Sequence, residues 1–97
     1  MITHLVLFKL RPGITPDDPR IERVMRMMAE LPRQIPVIRG WEYGCNITPD
    51  AEAWDFGLLA RFDDESDLHA YFEHPAHLPV LQLWSEIATL AFADLAS

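Results

Sequence analysis

Cysteine is almost missing from this 97-residue chain: Cys45 stands alone. No internal disulfide can form, and no thiolate cage can hold a metal. Basic residues are scarce too. Eight Lys and Arg face fifteen Asp and Glu, a formal net charge of −7, and a chain of that sign attracts neither phosphate backbones nor anionic lipid. Nucleic acid and membrane are therefore poor partners. No apolar run approaches the ~18 residues of a membrane span, and nothing basic precedes the short run Leu5 to Phe8 as a secretory leader would require. The expectation is a cytoplasmic protein. What is present is globular: 49% apolar and 24% charged residues argue against a disordered chain, and the length sets one domain over 1–97.

Prolines punctuate the chain. Residues 2–10 alternate as a strand, with Ile2, His4, Val6, Phe8 and Leu10 on one face and Thr3, Leu5, Leu7 and Lys9 on the other. Arg11-Pro12-Gly13 breaks it. Asp18-Pro19 is suited to open a helix, with Asp18 as cap and Pro19 in the first turn; Thr15-Pro16 competes one turn earlier. Ile21, Val24, Met25, Met28 and Leu31 keep helical spacing, Glu22, Arg26 and Glu30 line another face, and Pro32 is expected to end the helix. Strand character returns over 37–46 and, after a polar connection over 47–52, over 54–62, where Trp54, Phe56, Leu58, Ala60 and Phe62 share a side. Asp63 or Asp64 caps a second helix carrying Leu68, Tyr71 and Phe72. His74-Pro75 interrupts it, one or two helical turns hold Val80, Leu83, Trp84 and Ile87, and a last strand covers about 89–95.

The order β-α-β-β-α-β belongs to the α+β class, a ferredoxin-like sandwich with both helices on one face of a four-stranded antiparallel sheet. The other face needs cover, because Leu5 and Leu7 oppose Val6 and Phe8 on the first strand. At roughly 25 cal/mol per Å² of apolar surface, a wet face forgoes several kcal/mol in a domain with little to spare. Two copies meeting sheet to sheet solve the problem, so a homodimer is expected.

His4-Leu5-Val6-Leu7-Phe8-Lys9 with Pro12-Gly13, the Leu31-Pro32 and Ile35-Pro36 breaks, and above all Tyr71-Phe72-Glu73-His74-Pro75-Ala76-His77 resemble the stress-responsive A/B barrel (Dabb) family, from His4 to about Asp94. The resemblance implies a ferredoxin-like chain that pairs into a dimeric α/β barrel. Its best understood member is a plant polyketide cyclase, which closes a poly-β-ketone by aldol condensation without metal or organic cofactor. Carried over by position, the resemblance makes His77 the base, Tyr71 its assistant and His4 a pocket residue. One departure is Phe56, which stands where the cyclase has a histidine.

Histidine alone starts with a pKa near neutrality, as a general base requires. A ring at the start of the turn containing Pro79 and Val80 is kept neutral by the helix dipole, and a phenol across the Pro75 bend can donate to an imidazole nitrogen or an enolate oxygen. With His4, Val6, Phe8 and Phe56 as further lining, the residues sketch an apolar pocket for a small hydrophobic, carbonyl-bearing ligand. A structural reading stands beside each role. His77 packs at a helix junction, Tyr71 is a core tyrosine with a satisfied hydroxyl, His4 bonds a neighbour in the sheet, and His74 caps its helix at the C-terminal end. His69 reads as surface, and Trp41, Trp54 and Trp84 as core or dimer seam. Asp63, Asp64, Glu65 and Asp67 are explained by helix capping and lack the pattern of a calcium loop. Met25, Met27 and Met28 read mostly as helix core, with Met27 as an interface or surface candidate, and Cys45 has no base beside it. Neither metal nor cofactor is expected. Two alternatives to the cyclase-like enzyme stay open: a non-catalytic stress-linked binding or structural protein, and a cofactor-free monooxygenase or haem binder using one His as axial ligand.

Overall fold

The computed structural model describes residues 1–97. Its elements run β1 (Ile2–Leu10), α1 (Pro19–Gln34), β2 (Gly40–Cys45), β3 (Phe56–Phe62), α2 (Glu65–Glu73), α3 (His77–Ile87) and β4 (Ala88–Ala96). The strands form one antiparallel sheet in the order β2-β3-β1-β4, the ferredoxin-like arrangement expected of the α+β class. No helix is long and apolar enough to cross a membrane.

Alternation decides which side chains reach the core. Ile2, Val6 and Phe8 of β1 and Phe56, Leu58, Ala60 and Phe62 of β3 are buried beneath the helices, together with Val24, Met28 and Leu31 of α1 and Val80, Leu83, Trp84 and Ile87 of α3. The opposite face carries the other set. Leu5 stands opposite Leu59 on one side and Ala93 on the other, Leu7 is 41% exposed, and Leu95 is 52% exposed. An apolar band thus crosses the open face of the sheet.

Several boundaries differ from the sequence reading. Pro32 lies inside α1, which runs on to Gln34. Proline removes the N–H that would bond the carbonyl four residues back, namely that of Met28, and the Trp41 indole N–H donates to that carbonyl at 3.0 Å instead. β3 begins at Phe56 and leaves Trp54 outside the strand; Asp55, just before it, accepts the Leu10 N–H on its carboxylate at 2.7 Å while its own N–H donates to the Phe8 carbonyl. β2 is likewise shorter than 37–46, starting at Gly40. α3 is a full helix of 11 residues rather than a turn or two, and it passes directly into β4 at Ala88. Asp18 caps α1 with Pro19 first in the helix, as expected, and Gly13 takes the left-handed conformation, φ 86°, that its turn requires. Asp64, not Asp63, caps α2 by accepting from the Asp67 N–H; Asp63 pairs with Arg39.

Candidate functional site

Between α3 and the covered face of the sheet lies an apolar cavity of about 290 Å³. Its floor is Val6 and Phe8 of β1 with Leu58 of β3, its roof is Val80, Leu81 and Trp84 of α3, and Leu90 and Phe92 of β4 border it along the edge strand. Three lining side chains carry titratable groups: His4, Tyr71 and His77. Phe72 completes that end. These three polar residues, 73 positions apart at the extremes, thus share one chamber.

His77 is the first residue of α3, beyond a bend at 74–76. Its Nδ1 lies 3.2 Å from the Phe72 carbonyl oxygen. A carbonyl oxygen only accepts, so Nδ1 carries the hydrogen and Nε2 is left with its lone pair. Burial lowers the pKa of the ring from its ordinary 6.5; the Phe72 carbonyl opposes this, and the neighbouring His4 and His74 reinforce it. The ring is therefore a neutral base at pH 7. Its position in the first helical turn acts in the same direction.

Tyr71 packs on His77 with ring centroids 4.3 Å apart and planes at 44°. It is 2% exposed, lies against Phe62 and Trp41 as well, and burial alone raises its pKa above the ordinary 10.0. Its hydroxyl makes no hydrogen bond within the chain, unlike the satisfied core tyrosine of the structural reading, and it stays protonated as a donor. His74 ends α2 as expected, its backbone N–H donating to the Tyr71 carbonyl; its ring accepts from the Ala76 N–H at 3.0 Å and so staples the bend toward α3.

His4 is buried, 5% exposed, the only buried polar or charged residue of the chain. Its ring sits edge-on to Tyr71 and Phe72, and its Nδ1 meets Asp94 Oδ1 at 2.5 Å. Asp94 is directly opposite His4 in the β1–β4 register. Sequence reasoning missed it. The signal was one acid in the apolar β4, at the same alternation as Leu90 and Phe92, since a charge on the inward face of a strand implies a partner there.

Val6 and Phe8 line the cavity as expected, but Phe56 does not. Its ring centroid is 5.4 Å from that of Trp84, which stacks on Phe8 at 4.1 Å and itself lines the chamber. Leu58, two residues further along β3, takes the lining position. Trp84 also holds the one buried side-chain polar atom without a partner, its Nε1. Trp41 is half-buried, and Cys45 is exposed.

Residues 2–95 match the model of the Stress responsive A/B Barrel Domain. The chain is 43% identical over 94 residues to the uncharacterized protein SCO4036 of Streptomyces coelicolor, with 97% of each covered. Among solved structures, it is similar to a dimeric ferredoxin-like protein of unknown function from Thermobifida fusca, at 28% identity and TM-score 0.86, covering 99% of this chain and 90% of that one. A dimeric protein of unknown function from Bacteroides fragilis gives 32% identity and TM-score 0.80, with 99% and 95% covered. A hydroxynitrile lyase from Passiflora edulis and a cofactor-independent oxygenase from Streptomyces nogalater, each 14% identical, share the fold.

Proposed function

The chain belongs to the stress responsive A/B barrel domain family, and we propose that it acts as a homodimer whose subunits each bind a small hydrophobic, carbonyl-bearing molecule and carry out cofactor-independent acid–base chemistry on it. The observation that carries this reading is the meeting of His77, Tyr71 and His4 in the lining of one apolar cavity. His77 Nε2 takes a proton from the carbon beside the carbonyl: the C–H bond breaks, an N–H bond forms, and the electron pair moves to the carbonyl oxygen. Tyr71 donates its O–H to that oxygen as charge develops. The enolate carbon then bonds to a second carbonyl carbon, as in an aldol closure: the C=O π pair of that group moves onto its oxygen, the first carbonyl re-forms, and the new alkoxide takes the proton back from His77. The lining around these groups is apolar, which strengthens each interaction by excluding water. The dimer rests on the apolar band of the open sheet face, and the dimeric relatives support it.

The decisive measurement is exchange of the α-protons of an enolisable aryl ketone into deuterated water, followed by proton NMR. His77→Ala is expected to lower the catalysed rate by ~10²–10⁴-fold, and Tyr71→Phe to lower it as well. Unchanged rates in both variants would refute the mechanism. Tight binding of the ketone without any exchange in the wild-type protein would favour instead a protein that holds a hydrophobic ligand unaltered.

A further inference from the structure

On the face of the sheet turned away from the helices, one row across the strands reads Glu42, Leu59, Leu5 and Ala93. Arg61 and Leu95 stand in the row on one side of it, and Leu7 in the row on the other, beside Gly57 and Gly44. Three charged residues of the strands belong to this face: Glu42, Arg61 and Lys9. All are exposed, and none has an ion-pair partner in the chain. The two glycines are not demanded by their own chain. Neither has a positive φ; a Cβ at Gly44 would meet nothing within 4 Å, and one at Gly57 only ordinary contacts, the nearest Leu7 at 3.8 Å. Glycine weakens a strand interior and marks sites that something else approaches closely. Here the pair leaves a hollow in the open face.

We propose that a second copy of the chain docks on this face in one orientation, fixed by Glu42 of each subunit pairing with the partner's Arg61. This rests on the homodimer proposed above and adds to it the geometry of the contact and the residues that set it. Two-fold symmetry makes the condition stringent: an axis between the two faces that exchanges Glu42 with the partner's Arg61 determines every other contact. With strands about 4.8 Å apart and about 3.4 Å per residue along each, that axis crosses the apolar centre of the face, between Leu59 and Leu5. It sets exposed Leu7 over the partner's Ala93, a large side chain over a small one. The partner's Leu95 arrives at the hollow of Gly44 and Gly57. The strands of the two sheets then cross at roughly 110°, near the orthogonal class of sheet packing. Lys9 falls beyond the partner's edge strand and stays in water. An axis pairing Glu42 with the partner's Lys9 instead would pass through Gly57 and leave both Arg61 and Leu95 uncovered. Charge and shape thus agree on one arrangement. Each subunit carries −7 overall, so two copies repel unless unlike groups are brought together, which favours the orientation that does so.

Charge reversal followed by analytical ultracentrifugation of the full chain tests the arrangement. Glu42→Arg and Arg61→Glu each set like charges against one another twice per dimer, and each is expected to raise the dissociation constant by at least ~10-fold. Lys9→Glu, at a solvated position, should leave it within ~3-fold of the wild-type value. Mixed in equal amounts, the Glu42→Arg and Arg61→Glu chains should form a heterodimer that neither forms with itself, because every Arg again faces a Glu. The chain carrying both reversals should likewise regain its homodimer. Such rescue is beyond a variant that merely folds poorly. Single reversals that leave the dimer intact, weakening that neither mixing nor the double reversal repairs, or a Lys9→Glu effect as large as that of Arg61→Glu would each overturn the proposal. A wild-type chain that is monomeric throughout removes the homodimer itself, whereas a wild-type dimer indifferent to these reversals refutes the orientation alone.

Discussion

Tyr71→Phe separates a functional hydroxyl from a structural one by the size of its effect on stability. The ring is 2% exposed and packs against Phe62 at 5.0 Å and His77 at 4.3 Å, contacts that phenylalanine retains. Only the hydroxyl is lost. Were it bonded to a protein acceptor, its removal would leave that acceptor unmatched and cost about 1–3 kcal/mol. The hydroxyl has no acceptor in the chain and is not sealed from solvent, Trp84 Nε1 being the one sealed side-chain polar atom without a partner, so its removal should change stability by no more than about 0.5 kcal/mol. For a domain of this size, with a urea m-value of about 1 kcal/mol per molar, the unfolding midpoint should stay within ~0.5 M of the wild-type value at unchanged slope. Protein concentration must be equal in the two titrations, because association of subunits adds to apparent stability. The same variant should lose α-proton exchange. A midpoint lowered by ~1 M would mean that the phenol is satisfied in the core, and the donor role assigned to it would fall.

Trp41→Phe removes the donor that serves the Met28 carbonyl and should cost about 1–2 kcal/mol by urea unfolding. In a Pro32→Ala background the helix regains its own N–H for that carbonyl, so the cost should shrink; equal costs in both backgrounds would refute the compensation. Burial holds the His77 pKa below 6.5, so its stabilising contribution is complete above 6.5 and is lost as pH falls from there through the lower folded value. The acid limb of kcat/KM should accordingly have its midpoint below 6.5, and a midpoint at or above that value would contradict the neutral buried base. Leu7→Asp places a charge in the apolar band of the open sheet face and should convert the dimer to monomer in analytical ultracentrifugation. A wild-type chain that sediments as a soluble monomer at micromolar concentration would remove the dimer from the proposal altogether.

Legibility in the sequence followed the range of the interactions. The two-residue alternation of β1 assigned Leu5 and Leu7 to one face and Val6 and Phe8 to the other without any tertiary information, and the sheet displays both sets as read. Asp18 with Pro19 marked a helix start because capping is settled within one turn. Pro32 misled for the converse reason. Its missing N–H is offset by Trp41, nine residues away on another element, and no local rule reports such a partner. Asp94 pairs with His4 across 90 residues of chain, so it becomes visible only once β1 and β4 are known to be in register. Phe56 sits on the inward face of β3, as its alternation demanded, but it packs against Trp84 and does not line the cavity; face is a property of the strand, whereas access is a property of the packed whole.

The bend at 74–76 is what turns two ordinary residues into a candidate site. On an unbroken helix, Tyr71 and His77 would be six residues apart, rotated by roughly 240° and separated by about 9 Å along the axis, with their side chains on different faces. Pro75 cannot continue the helical bonding, the His74 backbone N–H closes α2 onto Tyr71, and the His74 ring takes the Ala76 N–H at the start of α3. Redirected in this way, the chain sets the two rings 4.3 Å apart and lets the freed Phe72 carbonyl orient the imidazole. A carbonyl near the end of a helix would otherwise need water or a cap. Here it holds His77 in the tautomer that leaves Nε2 free, so the same break that ends α2 also prepares the base.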